Sequence, residues 1–268
     1  LPMTAFAQSA PTETASKGLE EIIVTAQKRE QNLQQTPISI AAFQAETLEE
    51  RGITNIGQLA SAVPNLAIRP FGSSPTTLRL FIRGVGANDS QITQDPPVGI
   101  YFNGVYIARP VGLSLDVADI ERIEVLRGPQ GTLYGRNTTG GAVNIITKKP
   151  DNTLAGSQLV GIGNYGAIHS QTVLNLPLTD TLFVKGAFDW NKRDGWLKNT
   201  GEGPDFSAYN RRSARFDARW QPLDKVTIDY SFDRSVSSYT PDYYHLTEVT
   251  PAFAGLIESQ PHRLSVRR

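Results

Sequence analysis

Three segments in the second half of the chain alternate between apolar and polar residues, and this pattern constrains the fold most. Residues 181–191, 211–220 and 225–234 place mainly apolar side chains at every second position and mainly polar or charged ones between them. Because successive side chains of a β-strand point to opposite faces, each segment predicts a strand with one apolar face. Such strands occur in soluble β-sandwiches, where apolar faces meet, and in outer-membrane barrels, where they face lipid. The alternation alone leaves both architectures open.

Aromatic residues near the strand ends, Trp190, Trp220 and Tyr230, suit a barrel that crosses a membrane. No apolar run reaches the ~20 residues that a membrane-spanning helix needs. The chain has 268 residues and no cysteine, which excludes disulfides and thiolate metal sites. Its 26 basic residues balance 26 acidic ones, so no global field would hold nucleic acid, and we expect no nucleic-acid partner.

The first residues have the composition of a processed, flexible leader. Ala5-Phe6-Ala7 before Gln8 has the small-x-small form of a signal-peptidase site, so we interpret residues 1–7 as a signal-peptide remnant. Residues 8–20 are too polar to offset the entropy of ordering. A β-branched run follows at residues 21–27 and could add as an extra strand to the sheet edge of a partner. The alternative is an ordinary first strand of the next domain.

Residues 28–150 predict one compact α+β domain. Residues 41–65 have a helical pattern, with Gly52 dividing two short helices. Strands are predicted from Thr76 onward, and Asn103-Gly104 predicts the type I′ turn of a hairpin. A strand at residues 142–147 closes the domain. The alternating pattern then begins, and residues 151–268 have room for roughly five membrane-crossing strands.

Several motifs in a fixed order resemble the plug of TonB-dependent outer-membrane receptors. They are Glu21-Ile22-Ile23-Val24-Thr25-Ala26, Ile82-Arg83-Gly84, Ile123-Glu124-Val125-Leu126-Arg127-Gly128-Pro129, Tyr134-Gly135 and Gly140-Gly141-Ala142-Val143-Asn144-Ile145-Ile146-Thr147. The resemblance implies an α+β plug domain followed by antiparallel transmembrane β-barrel strands. A complete barrel of this kind has about 22 strands, so the chain corresponds to a fragment with an incomplete barrel.

The resemblance implies a receptor in the outer membrane of a Gram-negative bacterium, with its plug facing the periplasm. Such receptors take up a scarce nutrient, most commonly a ferric siderophore, with energy from TonB and its inner-membrane complex. Residues Ile22, Ile23, Val24, Thr25 and Ala26 would form the TonB box, which pairs with a strand of TonB. The alternative function is a soluble, plug-like periplasmic binding module without transport activity.

The resemblance also implies two groups of contact residues. Arg83 and Arg127 lie in motifs whose arginines typically face glutamates of the barrel, and Glu124 could pair with either arginine locally. Ligand contacts are expected on outward loops of the plug, where polar and aromatic side chains could hold a polar solute. The candidates are Arg69, Phe71, Ser73, Asn88, Gln91, Gln94, Tyr106 and Arg109.

An enzymatic function has no support in the motifs. Gly84-Val85-Gly86 begins like a dinucleotide fingerprint, but Asp89 stands where the third glycine belongs. Gly128-Pro129-Gln130-Gly131 lacks the lysine and hydroxyl of a phosphate loop. His169, His245 and His262 are far apart and lack metal-ligand spacing. We therefore expect neither an enzyme, a metal nor a cofactor.

Overall fold

The computed structural model describes residues 22–53, 56–71, 74–89, 94–108, 119–199, 201–242 and 264–266. The predicted signal-peptide remnant and leader lie outside the described residues, as do Ser73, Gln91 and Arg109 among the ligand candidates. Among the described residues, no helix has the length and apolar character needed to cross a membrane.

The amino-terminal domain consists of short strands and helices. Its strands are β1 (Ile23–Val24), β2 (Gln31–Asn32), β3 (Ile40–Gln44), β4 (Leu66–Phe71), β5 (Ser74–Ile82), β6 (Val85–Gly86), β7 (Val98–Phe102), β8 (Val105–Tyr106), β9 (Ile120–Arg127) and β10 (Gly141–Thr147). Its helices are α1 (Ala45–Glu50), α2 (Gly131–Tyr134) and two 3-10 helices, Leu33–Gln35 and Ile56–Ser61.

A five-stranded mixed sheet in the order β3-β9-β10-β7-β8 forms the centre of this domain. Strand β10 pairs antiparallel with β9 and parallel with β7, in a register that sets Gly141 opposite Val98. Ile123 and Val125 on one face of β9 join a core that also contains Leu59 and Ile82. The other face of β9 and β10 carries Leu126 and Ala142 in a second apolar cluster.

The predicted helix over residues 41–65 is wrong at its start. Residues 41–44 belong to β3, which pairs antiparallel with β9 and sets Ile40 opposite Leu126. The helical spacing placed Phe43 correctly in the core, where it is 7% exposed. Sheet pairing with a distant segment overrides the local pattern. The hairpin prediction is confirmed, since Asn103 and Gly104 have φ of 48° and 83° between β7 and β8.

The carboxy-terminal part is an antiparallel sheet in the order β11-β12-β13-β15-β16. The strands are β11 (Ala155–Gly163), β12 (Ala167–Pro177), β13 (Leu182–Arg193), β15 (Tyr209–Leu223) and β16 (Val226–Tyr239). A short pair, β14 (Leu197–Asn199) with β17 (Leu264–Val266), lies outside this sheet. Each long strand pairs with its sequence neighbour in the sheet, as in an up-and-down barrel.

The faces of this sheet are inverted relative to a soluble protein. On one face the polar side chains are buried, with Lys185 4%, Asp189 2% and Asp217 3% exposed. On the other face Phe188 and Phe216 are 44% and 42% exposed. A sandwich would bury the aromatic face, whereas a barrel presents that face to lipid and its polar face to the lumen. The inversion favours the barrel architecture.

Candidate coupling and ligand sites

The segment at residues 22–26 is folded into a small hairpin. Strand β1 pairs antiparallel with β2, so that Val24 lies opposite Gln31. The turn is closed by the Lys28 amide, which donates to the Thr25 carbonyl at 2.9 Å, and Lys28 has a φ of 60°. The Leu33 amide donates to the Ile22 carbonyl at 2.9 Å. The structure therefore shows this segment in the arrangement of an ordinary first strand, which was the alternative to a free docking peptide.

The hairpin packs against the amino-terminal domain through two side chains. Val24 and Ala26 are 0% exposed and belong to the apolar cluster that contains Leu126 and Ala142, whereas Ile23, just before Val24, is 40% exposed. This alternation is that of a strand lying flat on an apolar surface. The hairpin is therefore packed on the amino-terminal domain, with Ile23 exposed to solvent.

A buried carboxylate joins the hairpin to the central sheet. Glu124 on β9 is fully buried, and its Oε1 accepts hydrogen bonds from the Thr25 amide at 2.7 Å and the Thr25 hydroxyl at 3.2 Å. The Arg122 guanidinium pairs with the same oxygen at 2.9 Å. Oε2 accepts from the Asn144 amide group at 3.2 Å. A buried carboxylate requires such donors, since an unpaired charge in the interior is strongly unfavourable.

Lys28, in the turn of the hairpin, contacts two tyrosines of the amino-terminal domain. Tyr101 and Tyr134 pack edge to face with ring centroids 4.9 Å apart, and the Lys28 ammonium lies 4.3 Å from the Tyr134 ring centroid. Burial raises the pKa of the Tyr134 phenol to about 12, although the Asn144 amide group bonded to its hydroxyl opposes the shift. The ammonium over the ring face gives a cation–π contact that adds to the attachment of the hairpin.

The two predicted arginines lie near each other, but neither of them is paired with Glu124. Arg83 donates to the Ser39 hydroxyl at 3.0 Å, and the Arg127 amide donates to the Ser39 carbonyl at 2.8 Å. Within the described part of the chain, neither guanidinium forms an ion pair, and Nε of Arg127 is buried without a hydrogen-bond partner. The predicted local pairing of Glu124 with Arg83 or Arg127 is wrong, because the carboxylate pairs instead with Arg122, two residues away on the same face of β9.

Different ionic contacts link the two parts of the chain. The Lys185 ammonium on β13 bonds the Asp119 carboxylate and the Lys148 carbonyl. Lys149 lies 3.7 Å from the Asp229 carboxylate on β16. Sequence reasoning missed these pairs, although Lys185 was placed on the polar face of its predicted strand. That face is buried against the amino-terminal domain, and this burial was the missing information.

The polar face of the carboxy-terminal sheet carries a connected charge network. Arg215 forms two hydrogen bonds with Asp217, at 2.6 and 2.7 Å, and a third with Asp233 at 2.8 Å. Its guanidinium also lies 5.0 Å from the ring centroid of Phe102, in the hairpin of β7 and β8. Arg219 pairs bidentately with Asp229 at 2.8 and 3.0 Å. The Arg215 and Asp217 side chains are 7% and 4% exposed, and their pairing offsets the cost of burying both charges.

The predicted ligand residues are only partly brought together. Arg69 and Asn88 line one open groove of about 470 Å³, together with Arg79 and Arg83. Gln94 lines a separate, small cavity. Phe71 lies beside this region, with its ring centroid 5.8 Å from the Arg79 guanidinium. Tyr106 lies elsewhere, bonded to Asn137 at 2.9 Å and packed on the cluster beneath the β1–β2 hairpin.

A second groove was not predicted. It encloses about 270 Å³ where Thr76 of β5 meets the ends of β13, β15 and β16. Arg193 and Arg211 flank the ring of Tyr209, at 5.0 and 4.7 Å from its centroid. Tyr239 lines the same groove and donates to the Ser74 hydroxyl at 3.1 Å. The groove combines cations with aromatic surface, a combination suited to an anionic ligand with aromatic groups.

No metal site accompanies these grooves in the described ranges, where no group of three or more histidines, aspartates or glutamates converges. His169 pairs with Asp189 at 2.8 Å, and His245 and His262 lie outside the described residues.

Comparison with known families decides the identity of the amino-terminal domain. The model of the TonB-dependent Receptor Plug Domain matches residues 32–142. This chain carries the plug domain of a TonB-dependent receptor. The resemblance stated from the sequence motifs is confirmed. The family is one of receptors, which agrees with the expectation that the chain is not an enzyme.

Curated relatives extend the similarity beyond the plug. The pesticin receptor of Yersinia pestis is 30% identical over 243 residues, which cover 88% of this chain and 35% of the relative. An iron-regulated outer membrane virulence protein of Vibrio cholerae is 34% identical over 158 residues, covering 57% of this chain and 24% of that protein. The chain thus spans about a third of the length of the first of these relatives.

Solved structures of receptors show the same arrangement of plug and barrel strands. The ferric yersiniabactin uptake receptor FyuA from Yersinia pestis superposes with a TM-score of 0.71 at 27% identity, over 78% of this chain and 33% of that chain. The ferripyoverdine receptor of Pseudomonas aeruginosa superposes with a TM-score of 0.64 at 18% identity, over 81% of this chain and 28% of that chain. At this level of identity the similarity concerns the fold alone. The predicted fold class, an α+β plug followed by strands of an incomplete barrel, is confirmed.

Proposed function

We propose that this chain belongs to a receptor that imports a ferric siderophore across the outer membrane with energy delivered by TonB. Residues 21–27 serve as the TonB box, residues 28–150 as the plug facing the periplasm, and residues 151–268 as the first barrel strands. The inverted sheet supports the membrane location most directly, because its exposed aromatic face would be unfavourable in water. The same face argues against the alternative of a soluble plug-like module.

The nature of the cargo is inferred from relatives and from the grooves. The names of similar proteins refer to ferric yersiniabactin and ferripyoverdine, both ferric siderophores. The two grooves are lined by arginines, with Arg69 and Arg79 in one and Arg193 and Arg211 beside Tyr209 in the other. Guanidinium groups and aromatic rings suit the anionic, conjugated ligands of such complexes.

The role of residues 22–26 is tested by Ile23→Pro in the full-length receptor. Ile23 is 40% exposed, so the substitution changes the backbone more than the core. Proline removes the amide donor of a strand that must pair with TonB. We expect uptake of iron-55 as ferric yersiniabactin or ferripyoverdine to stop, while binding of the same complex to whole cells stays near wild type.

The control for this experiment is Ile23→Val, which keeps the amide and the β-branched side chain and should transport normally. Uptake by the proline variant at the wild-type rate would refute the TonB-box role. Loss of both binding and uptake would instead show that residue 23 supports the plug structure, as an ordinary first strand would.

A further inference from the structure

The segment proposed as the TonB box is unavailable for pairing in this structure. The Thr25 amide is bonded to Glu124, and the Thr25 carbonyl accepts from Lys28. The Ile22 carbonyl accepts from Leu33, and Val24 and Ala26 are fully buried. A partner strand adds to an edge by bonding free amides and carbonyls. The segment must therefore leave the plug surface before a partner can use it.

Glu124 is the side chain that holds the segment most specifically. Its Oε1 accepts both hydrogen bonds that Thr25 offers, and hydrogen bonds to an ionised group are stronger than neutral ones. Arg122 supports the same oxygen and also donates to the Thr25 hydroxyl at 3.2 Å. The hairpin also packs through apolar side chains and through the ring contacts of Lys28, and contacts of these kinds fix no single position along the strand.

The choice of a carboxylate at this position fits a contact that opens and closes. Glu124 shares its face of β9 with Leu126, which belongs to the cluster beneath the hairpin. An apolar residue at position 124 would fill the same space but would be exposed to water when the hairpin leaves. A carboxylate is bonded in the closed state and hydrated in the open state, so the net difference stays small.

We propose that Glu124 acts as a clamp that keeps residues 22–26 closed on the plug and sets the fraction of receptors in which this segment is accessible. The clamp is a positioning residue, and its link to energy transfer rests on the proposed function. Its effect on accessibility requires neither TonB nor a ligand. The clamp can therefore be refuted while the TonB-box role stands, and the TonB-box role can be refuted while the clamp stands.

The test uses cysteine labelling followed at the peptide that carries the reporter, since residues 1–268 contain no other cysteine. Val24→Cys places a thiol of similar size at a fully buried position of the hairpin. The purified full-length receptor in detergent is treated with N-ethylmaleimide, and modification is followed by mass spectrometry. When closing is fast, the labelling rate reports the population of the open state.

Glu124→Gln keeps the shape of the side chain and removes its charge. We expect Val24→Cys to react about tenfold faster in this background, the factor that follows from weakening charge-assisted bonds to neutral ones. Glu121→Gln is the matched control, since Glu121 lies on the same strand, pairs with Arg122 and makes no contact with Thr25. Its labelling rate should remain within twofold of that of the parent.

Two reporters separate local release from general loosening of the plug. Ile23→Cys, at the exposed position beside Val24, should react at one rate in all backgrounds. Val143→Cys, fully buried in the other core, should remain protected in the Glu124→Gln background. An unchanged rate at position 24, or an equal increase at positions 24 and 143, would overturn the proposal.

Discussion

Replacement of Lys185 by methionine should loosen the junction between the plug and the first barrel strands. The Lys185 ammonium bonds the Asp119 carboxylate and the Lys148 carbonyl, and the two side chains are 5% and 13% exposed. Methionine keeps most of the apolar stem of the side chain and removes both bonds. The carboxylate of Asp119 is then left largely buried without its cation, which is the costly part of breaking a buried pair.

The magnitude follows from the burial of the two partners. Removing one partner of a fully buried pair costs about 3–5 kcal/mol, and the partial exposure of Asp119 lets water recover some of this. We expect a local loss of about 2–3 kcal/mol, which corresponds to roughly a 30- to 150-fold change in the opening equilibrium. Asp119→Asn in the Lys185→Met background should restore about half of the loss, because no charge then remains unpaired.

Hydrogen exchange measures this opening directly. The Lys148 amide donates to the Asp119 carbonyl at 3.1 Å, so its protection reports whether the junction is closed. We expect faster exchange of the peptide containing Lys148 in the single variant, with slower exchange again in the double variant. The reasoning is refuted if exchange at Lys148 is unchanged, or if the double variant loses the sum of the two single losses, since additivity means that the groups do not interact.

Three further predictions address the exposed aromatic face, the plug sheet and the buried Tyr134. Phe216→Arg should destabilise the receptor refolded into lipid vesicles by about 2–4 kcal/mol in urea titrations, because Phe216 is on the exposed aromatic face. An unchanged midpoint would argue against lipid contact. Gly141→Ala should cost about 3 kcal/mol or prevent folding, because a Cβ there would lie 2.2 Å from the Leu126 carbonyl oxygen at a φ of +143°. Gly186→Ala, with nothing within 4 Å and no unusual φ, is the neutral control, and equal effects of the two would refute the steric argument. Because the folded pKa of Tyr134 is raised to about 12, the unfolded chain ionises first, so stability should fall between about pH 10 and 12. Tyr134→Phe should reduce this slope in unfolding titrations, and an identical slope in both proteins would contradict the assigned burial.

Much of the architecture could be predicted from local signals. Alternation predicted β13, β15 and β16, and Asn103-Gly104 predicted the turn between β7 and β8, because both features act within a few residues. The start of the first predicted helix was wrong because β3 depends on β9, about 80 residues away. No periodicity in residues 41–44 carries information about that partner.

The candidate site was less predictable than the fold. The sequence named Glu124 as a charged contact of Arg83 or Arg127, but its partner Thr25 is 99 residues away in the chain. The Lys185 contacts depend on how the barrel wall meets the plug, and the groove at Tyr209 depends on strands β5, β13, β15 and β16 meeting at one end. Such contacts are set by tertiary geometry, so residue type and spacing identify candidates without pairing them.

The order of strands in the plug sheet has a consequence for the folding of a newly exported chain. Strand β10 is the last element of the plug and lies between β9 and β7, and its pairing with β7 joins residues 43 positions apart, as in Gly141 with Val98. Until β10 is available, β7 has only the short β8 as a sheet partner. Non-local pairings of this kind form slowly, since loop-closure entropy precedes the gain from contacts. The plug sheet therefore cannot be completed before residues 141–147 are available, and until then β7 and β9 lack the strand that joins them.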